Sequence, residues 1–466
     1  MASTLSITGN NLTIGDFSRV VFEAFLVALS PIARRRMGRA HHLVQQVVSQ
    51  DQPVYGINTG FGKFSDVHIG ARKLESLQLN LLRSHACGVG EMLSETETRG
   101  MMLCRANVLA KGHSGCRPEV ATKLMEMLNH KIHPVIPCQG SVGASGDLAP
   151  LAHLALVLVG EGEAYVGSRR MSGRAALRKF HLQPLKLGPK EGISLLNGTQ
   201  AMLSLGIIAL LSAEQLIDTA DVAAAISLDA LKGTPVAFDE KIQNLRPYAG
   251  QKTSASNLRR LNAGSQIRKS HLDCDKVQDA YSLRCAPQVH GAIRDTLAFT
   301  RNTFDIELNA ATDNPLVFPE QKEILSGGNF HGEPLAMVSD FMAIAMAELG
   351  SISERRIERL INPEYGDLPP FLTNDPGLNS GFMMLQVTAA ALLSECKVLA
   401  HPASVDSIPT SGNKEDHVSM GMSAALKLRQ VLRNVRRILA IELLCAAQGL
   451  DFLSPPKTRK RSPTWL

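Results

Sequence analysis

Three small residues in a glycine-rich loop have the spacing for unusual backbone chemistry. The loop runs from Gly140 to Pro150 and contains Ala144-Ser145-Gly146. If the amide nitrogen of Gly146 attacks the carbonyl carbon of Ala144, a five-membered ring closes and one water leaves. Glycine suits this attack because it lacks a Cβ and permits close approach. Loss of the Ser145 hydroxyl as a second water would leave an electrophilic methylene, made from the chain without an added cofactor.

The same loop has three more ordinary interpretations. Its glycines could cradle a phosphate, but the spacing G-x-G-x-x-G and a following Gly-Lys-Ser/Thr are both missing. Ser145 could be a hydrolase nucleophile, but the pattern G-x-S-x-G fails because Asp147 stands at its last position. A helix cap stays open, with Asp147 near the start of a helix over Leu148–Val159. On the tripeptide alone, the cap is the favoured interpretation.

The residues around the tripeptide reverse that preference. The stretch Gly140–His153 resembles the signature of the aromatic amino acid ammonia-lyases, which carry a methylidene-imidazolone prosthetic group. Other blocks agree in order and spacing, and the resemblance covers about residues 5–453. These blocks are Tyr55–Gly62, Leu195–Gln200, Gln278–Arg284 and Ser326–His331. The resemblance therefore implies an ammonia-lyase whose cofactor comes from Ala144-Ser145-Gly146, with no metal site assigned.

Two motifs far apart in the sequence resemble the histidine-specific members of that family. Ser84-His85 stands where tyrosine lyases typically have His-Leu and phenylalanine lyases Phe-Leu, and Glu415 begins a Glu-Asp-His pattern where those enzymes usually have Gln-Asp. An imidazole offers one ring donor and one acceptor, which His85 and Glu415 can pair. Phenylalanine would leave them unpaired at about 1–3 kcal/mol each. The resemblance implies conversion of L-histidine to trans-urocanate and ammonia, the first step of histidine degradation.

The resemblance also assigns roles to single residues. The catalytic set it implies is Tyr55, Ala144, Ser145, Gly146, Tyr281 and Glu415. The set it implies for binding substrate or the prosthetic ring is His85, Asn197, Gln278, Arg284, Asn329 and Phe330. Tyr55 matches the family's base, so its pKa must fall well below about 10, which implies a positive or hydrogen-bonding neighbour. Arg284 matches a clamp on the substrate carboxylate. The division of the base role between Tyr55 and Glu415 stays open.

Helical periodicity dominates the elements that must position these residues. Apolar residues recur at i, i+3, i+4 and i+7 in Glu95–Leu109, Glu119–Leu128, Ala201–Ala223, Glu333–Leu360 and Met422–Gln448. The clearest strand is Glu163–Ser168. We predict a mainly α fold: an N-terminal globular part over 1–195, a long-helix bundle over 196–453, and a disordered, basic, proline-containing tail over 454–466. The resemblance adds a fumarase/aspartase-like architecture and a homotetramer with shared active sites.

Composition excludes several other classes of protein. The formal charge is +6, but four of these charges come from Lys457, Arg459, Lys460 and Arg461. The rest of the chain therefore lacks the excess of positive charge that is typical of a protein that binds a polyanion. The eight cysteines form no Cys-x-x-Cys pair. The N-terminus does not read as a signal peptide, and the uncharged run Gly192–Ala213 favours a buried helix over a membrane span. We expect a cytoplasmic enzyme with reduced thiols and neither a nucleic-acid nor a membrane partner.

Two other functions stay open at this point. One is a tyrosine or phenylalanine ammonia-lyase of the same family, or an aminomutase that returns ammonia to the β-carbon. The other is a non-catalytic helical oligomer that keeps the scaffold without turnover. The joint presence of Ser145, Tyr55, Arg284 and Glu415 argues against the second alternative.

Overall fold

The computed structural model describes residues 4–50, 53–60, 62–64, 66–144, 146–272 and 277–453. Ser145 and the predicted tail 454–466 lie outside these described residues. Helices dominate the described chain, which confirms the mainly α class predicted from the sequence. The helices are α1 (Ile14–Phe22), α2 (Pro31–Ser49), α3 (Leu74–His85), α4 (Glu95–Ala110), α5 (Pro118–Asn129), α6 (Leu148–Leu158), α7 (Gly173–Lys179), α8 (Glu191–Leu196), α9 (Gln200–Ala230), α10 (Glu240–Leu245), α11 (Ala249–Asn262), α12 (Gln266–Lys269), α13 (Tyr281–Arg284), α14 (Ala286–Leu308), α15 (Glu333–Ile361), α16 (Met383–Leu399) and α17 (Gly421–Asp451).

The strands are short and form small, separate sheets. They are β1 (Thr4–Ile7), β2 (Leu26–Leu29), β3 (Val89–Met92), β4 (Ile132–Pro134), β5 (Pro137–Gln139), β6 (Glu163–Val166), β7 (Arg169–Ser172), β8 (Leu316–Phe318) and β9 (Glu323–Leu325). Strands β1 and β2 pair in parallel, and the antiparallel groups are β3-β5, β4-β6-β7 and β8-β9. Strand β6 is the one predicted from the alternating pattern.

All five segments with a helical period form helices, namely α4, α5, α9, α15 and α17. Local signals set where several helices begin. Helix α4 starts with a capping box, in which the Ser94 hydroxyl accepts from the Glu97 N–H and the Glu97 carboxylate accepts from the Ser94 N–H. Helix α2 starts with Ser30 as its cap and Pro31 in its first turn, where the missing N–H of proline costs nothing.

The described chain divides into two compact units, each built from three segments. The described residues of the first unit lie within 4–208, 302–339 and 402–426, and those of the second within 209–301, 340–401 and 427–453. Helices α9, α14, α15 and α17 contribute residues to both. The sequence predicted contiguous parts over 1–195 and 196–453, and that boundary stays a prediction.

Each unit has its own buried interior. In the first unit, helix α4 is buried on almost its whole surface, including the guanidinium of Arg105. The second unit has an apolar cluster around Leu228, Phe238 and Leu360, and it also holds a fully buried ion pair. The Arg356 guanidinium donates to both carboxylate oxygens of Glu442, at 2.5 and 2.9 Å.

Among the described residues, two helices are long and apolar enough to cross a membrane by length and composition. They are α9 and α15, and 72% of the most apolar window of each is buried within the protein. Burial of this kind is typical of the core helices of globular enzymes, as the sequence predicted for Gly192–Ala213.

Candidate active site

One pocket of about 1190 Å³ in the first unit gathers residues from six separate stretches of chain. Half of the predicted site residues line it: Tyr55, His85, Ala144, Asn197, Phe330 and Glu415. Helix α3 delivers His85 at its last residue, and loops deliver the others. A helical scaffold that presents loops at one place is the usual setting for a catalytic site.

The backbone beside Ala144 has room only for glycine. Gly146 has φ +75°, and a Cβ built on it would lie 2.1 Å from the carbonyl oxygen of Gly198. Gly146 and Gly198 form a parallel bridge, and the N–H of Asp147 donates to the same Gly198 oxygen at 2.6 Å. Ring closure requires a residue without a Cβ at this position, and the close packing of Gly146 against Gly198 allows only such a residue. Ser145, the residue between, lies outside the described residues.

Asp147 caps a helix, but not the helix expected from the sequence. Its side chain is fully buried, and one carboxylate oxygen accepts from the N–H groups of Ala201 and Met202 at 2.8 and 2.9 Å. These amides belong to the first turn of α9, whereas the sequence predicted a cap on the helix that begins at Leu148. Burial raises the pKa of Asp147 to about 7, although the Met202 and Ala201 N–H groups and the Ser141 hydroxyl favour the ionised form.

The carbonyl of Gly143 joins the tripeptide loop to two other loops of the pocket. It accepts from the N–H of Gly332 at 3.1 Å and from the hydroxyl of Ser419 at 3.2 Å. The N–H of Met420 donates to the neighbouring Val142 carbonyl at 2.8 Å. Since these loops carry Phe330 and Glu415, the bonds fix both residues relative to Ala144.

The imidazole of His85 is oriented by the end of its own helix. Its Nδ1 lies 2.8 Å from the carbonyl oxygen of Leu81, which can only accept. In the neutral ring, Nδ1 therefore carries the proton and Nε2 is the acceptor. His85 thus presents an acceptor to a donor group of a ligand.

Two hydroxyl groups hold the carboxylate of Glu415. The Thr410 hydroxyl donates to its Oε2 at 2.6 Å, and the Ser411 hydroxyl donates to the same oxygen at 2.8 Å. The N–H of Thr410 also donates to the carbonyl of Glu415 at 2.9 Å, which closes the turn between them. The carboxylate is therefore oriented from its own loop.

The electrostatics at Tyr55 differ from the sequence expectation. Burial raises its pKa above the ordinary value, and the negative charge of Glu415 raises it further, while a hydrogen bond with the backbone of Gly62 lowers it. A base at neutral pH needs a pKa well below 10, as the sequence predicts for Tyr55. Within one chain, burial and the negative charge of Glu415 instead raise the pKa of Tyr55.

Asn197 presents a buried acceptor to the pocket. Its side chain amide donates to the carbonyl of Asn314 at 3.2 Å, whereas its Oδ1 is buried without a hydrogen-bond partner among the described residues. The guanidinium of Arg105 fixes the backbone here by donating to the Asn197 carbonyl at 2.8 Å. An acceptor of this kind costs stability unless water or a ligand satisfies it, so it is available to a donor group in the pocket.

The remaining predicted residues lie elsewhere. Asn329 is exposed, and its amide donates to the Ala311 carbonyl at 3.4 Å. Gln278, Tyr281 and Arg284 belong to the second unit and are not among the described residues that line the pocket. Arg284 stacks on Tyr281 with its guanidinium carbon 4.6 Å from the ring centre. Tyr281 is 71% exposed.

Two histidines that the sequence analysis did not single out also line the pocket. The rings of His331 and His417 are nearly parallel, with centroids 5.9 Å apart. His331 Nε2 lies 3.2 Å from the His417 carbonyl, which ties the loop of Phe330 to the loop of Glu415. Both histidines stand within motifs that were noted for other residues, and only the fold shows that they meet.

Comparison with known proteins shows the family of the chain. The sequence profile of the aromatic amino acid lyase family matches residues 12–464. The chain is 58% identical to a histidine ammonia-lyase of Koribacter versatilis, over 98% of this chain and 91% of that protein. It is similar to the crystal structure of histidine ammonia-lyase from Trypanosoma cruzi, with a TM-score of 0.90, 44% identity, and coverage of 98% and 87%. It is also similar to tyrosine aminomutase from Streptomyces globisporus, with a TM-score of 0.92, 38% identity, and coverage of 97% and 89%.

Proposed function

Because this chain belongs to the aromatic amino acid lyase family, we propose that it removes ammonia from L-histidine and releases trans-urocanate. One observation carries the choice of substrate: His85 and Glu415, far apart in the sequence, line the same pocket as Ala144. The Glu415 carboxylate offers an acceptor to the one ring N–H of a neutral imidazole, and His85 Nε2 offers an acceptor to the second N–H of an imidazolium; a phenyl ring has neither donor. A phenylalanine side chain would leave both acceptors unpaired.

The prosthetic group that we propose comes from Ala144-Ser145-Gly146. The fit of the cradle at Gly146, where a Cβ would collide with Gly198, supports this proposal. The cyclised group supplies an electrophile that makes the substrate's amino group a better leaving group. The proposed chemistry uses no added cofactor and no metal.

The chain's own residues then bind the substrate and move the proton. The buried Oδ1 of Asn197 is suited to accept from an ammonium group of the substrate. Arg284 can bind the substrate carboxylate with two parallel N–H groups, and Gln278 and Tyr281 precede it on the same stretch of chain. Tyr55 takes the β-proton, with Glu415 as the alternative base.

We also propose a homotetramer in which subunits complete each other's sites. Several apolar side chains of the second unit are largely exposed in a single chain: Phe299, Ile344, Met384, Val398 and Leu444. Exposed apolar side chains that lie in one contiguous patch are typical of a surface that is covered by a partner. The raised pKa of Tyr55 supports the same proposal, since a base at neutral pH needs a positive neighbour. Arg284 of another subunit would supply one.

Complementation tests the shared site. Tyr55→Phe chains and Arg284→Ala chains, each inactive alone, are co-expressed with different affinity tags and purified through both. If subunits share sites, mixed tetramers contain some sites with both wild-type residues and recover activity. Mixed oligomers without activity would contradict the shared site, and a monomer in sedimentation velocity would contradict the tetramer.

We also propose that the protein acts in the cytoplasm. The described cysteines, which exclude Cys274, are all free thiols, as is usual in a reducing compartment.

Substrate turnover tests the proposed function directly. The purified protein is incubated separately with L-histidine, L-tyrosine and L-phenylalanine, and ultraviolet absorbance follows the conjugated product. We expect product from histidine alone and a large loss in Glu415→Gln. Product from tyrosine without product from histidine would contradict the assignment, and accumulation of β-histidine in place of urocanate would indicate an aminomutase.

A further inference from the structure

The loop that precedes Glu415 has two features that are not required to form its backbone turn. The turn is already closed by backbone bonds, from the Thr410 N–H to the Glu415 carbonyl at 2.9 Å and from the Asn413 N–H to the Thr410 carbonyl at 3.0 Å. Yet two side chains of the turn also bind the Glu415 carboxylate. These side-chain bonds therefore act on the carboxylate beyond what the backbone turn requires.

The first feature is the backbone of Ser411. Ser411, Gly412 and Asn413 have φ values of +51°, +61° and +67°, so three residues in succession are left-handed. Glycine adopts this conformation freely and asparagine is tolerated there, but serine carries a steric cost. A strained residue of this kind persists only where the surrounding structure holds it, and such residues cluster at functional sites. A glycine at position 411 would relieve this strain but would lack the hydroxyl of Ser411.

The second feature is convergence on one oxygen. The Thr410 and Ser411 hydroxyls both donate to Oε2 of Glu415, at 2.6 and 2.8 Å. Hydrogen bonds to a charged group are stronger than bonds between neutral groups and fix direction more firmly. Two donors on one oxygen restrict rotation of the carboxylate plane, so Oε1 keeps a defined direction in the pocket.

From these two features we propose that Thr410 and Ser411 are positioning residues, which aim the Glu415 carboxylate at the imidazole of the substrate. This inference rests on the proposed function, in which Glu415 reads the ring. Neither residue needs to touch the substrate. Their effect on specificity passes through the carboxylate that they orient.

Substitution with glycine separates this role from a structural one. Ser411→Gly removes the hydroxyl and relieves the left-handed strain, so we expect kcat/KM for L-histidine to fall about ten- to a hundredfold. The melting temperature should stay level or rise, because the strain is gone. Asn413→Gly is the matched control, since it places glycine at another left-handed position of the same turn, two residues before Glu415. Its kcat/KM should stay within about twofold of the parent.

Threonine variants provide a second, conservative series. Thr410→Val removes the other hydroxyl at nearly constant shape, and we expect a loss of about ten- to a hundredfold. Thr410→Ser keeps the donor and should recover most of the activity. A loss in Thr410→Ser as large as that in Thr410→Val would contradict the role of the hydroxyl.

A double-mutant cycle with Glu415→Gln tests whether the hydroxyl groups act through the carboxylate. If the hydroxyls act through the carboxylate, Ser411→Gly costs much less in the Glu415→Gln background than in the parent. Equal losses in both backgrounds, or activity and melting temperature falling together, would overturn the positioning role while leaving the proposed function intact. If Glu415→Gln left kcat/KM for L-histidine unchanged, Glu415 would not recognise the imidazole, and the positioning role would fall as well.

Discussion

Removing the carboxylate of Asp147 should expose how the tripeptide loop is attached to helix α9. In Asp147→Ala, the N–H groups of Ala201 and Met202 lose their acceptor inside a fully buried site. Each orphaned donor costs about 1–3 kcal/mol, so we expect a loss of about 2–6 kcal/mol in the free energy of unfolding. Against a typical total of about 5–15 kcal/mol, this is a severe effect.

Asp147→Asn is the matched control. The amide oxygen can accept from the same two N–H groups, and the amide nitrogen can donate to the Ser141 hydroxyl, which lies 3.1 Å from the present carboxylate. Most of the stability should therefore remain. Urea unfolding followed by circular dichroism measures both variants. Equal stability of Asp147→Ala and the parent, or an equal loss in both variants, would refute the capping role.

The same residue predicts a pH dependence of stability. Burial raises the pKa of Asp147 from 3.8 to about 7, so the folded state holds a proton that the unfolded chain releases. The resulting stabilisation is fully present below about pH 4, declines above it, and is lost as the pH rises through 7. It amounts to roughly 4 kcal/mol at most. The Asn variant should lack this decline between pH 4 and 7, and an identical pH dependence in both proteins would contradict the assignment.

Three further substitutions test other parts of the account. Lys190→Met removes one partner of a fully buried ion pair with Asp313, 3.1 Å apart, and should cost about 3–5 kcal/mol of stability; an unchanged melting temperature would contradict this. Tyr55→Phe should reduce kcat by about a hundredfold or more without loss of histidine binding, whereas retained turnover would move the base role to Glu415. Asn197→Leu removes the unpartnered acceptor of the pocket and should raise KM about tenfold, and an unchanged KM would show that the ligand does not use it.

The helices were predictable from the sequence because their signal is local. Apolar residues at helical spacing, rich in alanine and leucine, predicted α4, α5, α9, α15 and α17, and the structure confirms each. Capping residues such as Ser94 lie within a few residues of the helix that they start. The presence of His85 and Glu415 in one pocket followed from resemblance and not from local pattern, because they are brought together only by the fold.

What the sequence could not show depends on contacts between distant residues. Asp147 caps α9 and not the adjacent α6, because Gly146 packs directly against Gly198 and brings the carboxylate to the start of α9. The bonds from Thr410 and Ser411 to Glu415 are near in sequence, but they depend on a left-handed turn at a serine, which residue type alone does not predict. The direction of the Tyr55 pKa shift depends on burial and on Glu415, which only the folded chain brings near.

The mass of the tripeptide shows whether its backbone has cyclised. A proteolytic peptide spanning Gly140–Pro150 from active protein is measured by mass spectrometry, beside the same peptide from Ser145→Ala. If Ala144-Ser145-Gly146 closes into the electrophile, the peptide from active protein weighs two waters less than its sequence requires, whereas the Ser145→Ala protein is folded and inactive. An unmodified mass in protein that converts L-histidine to urocanate would contradict the account.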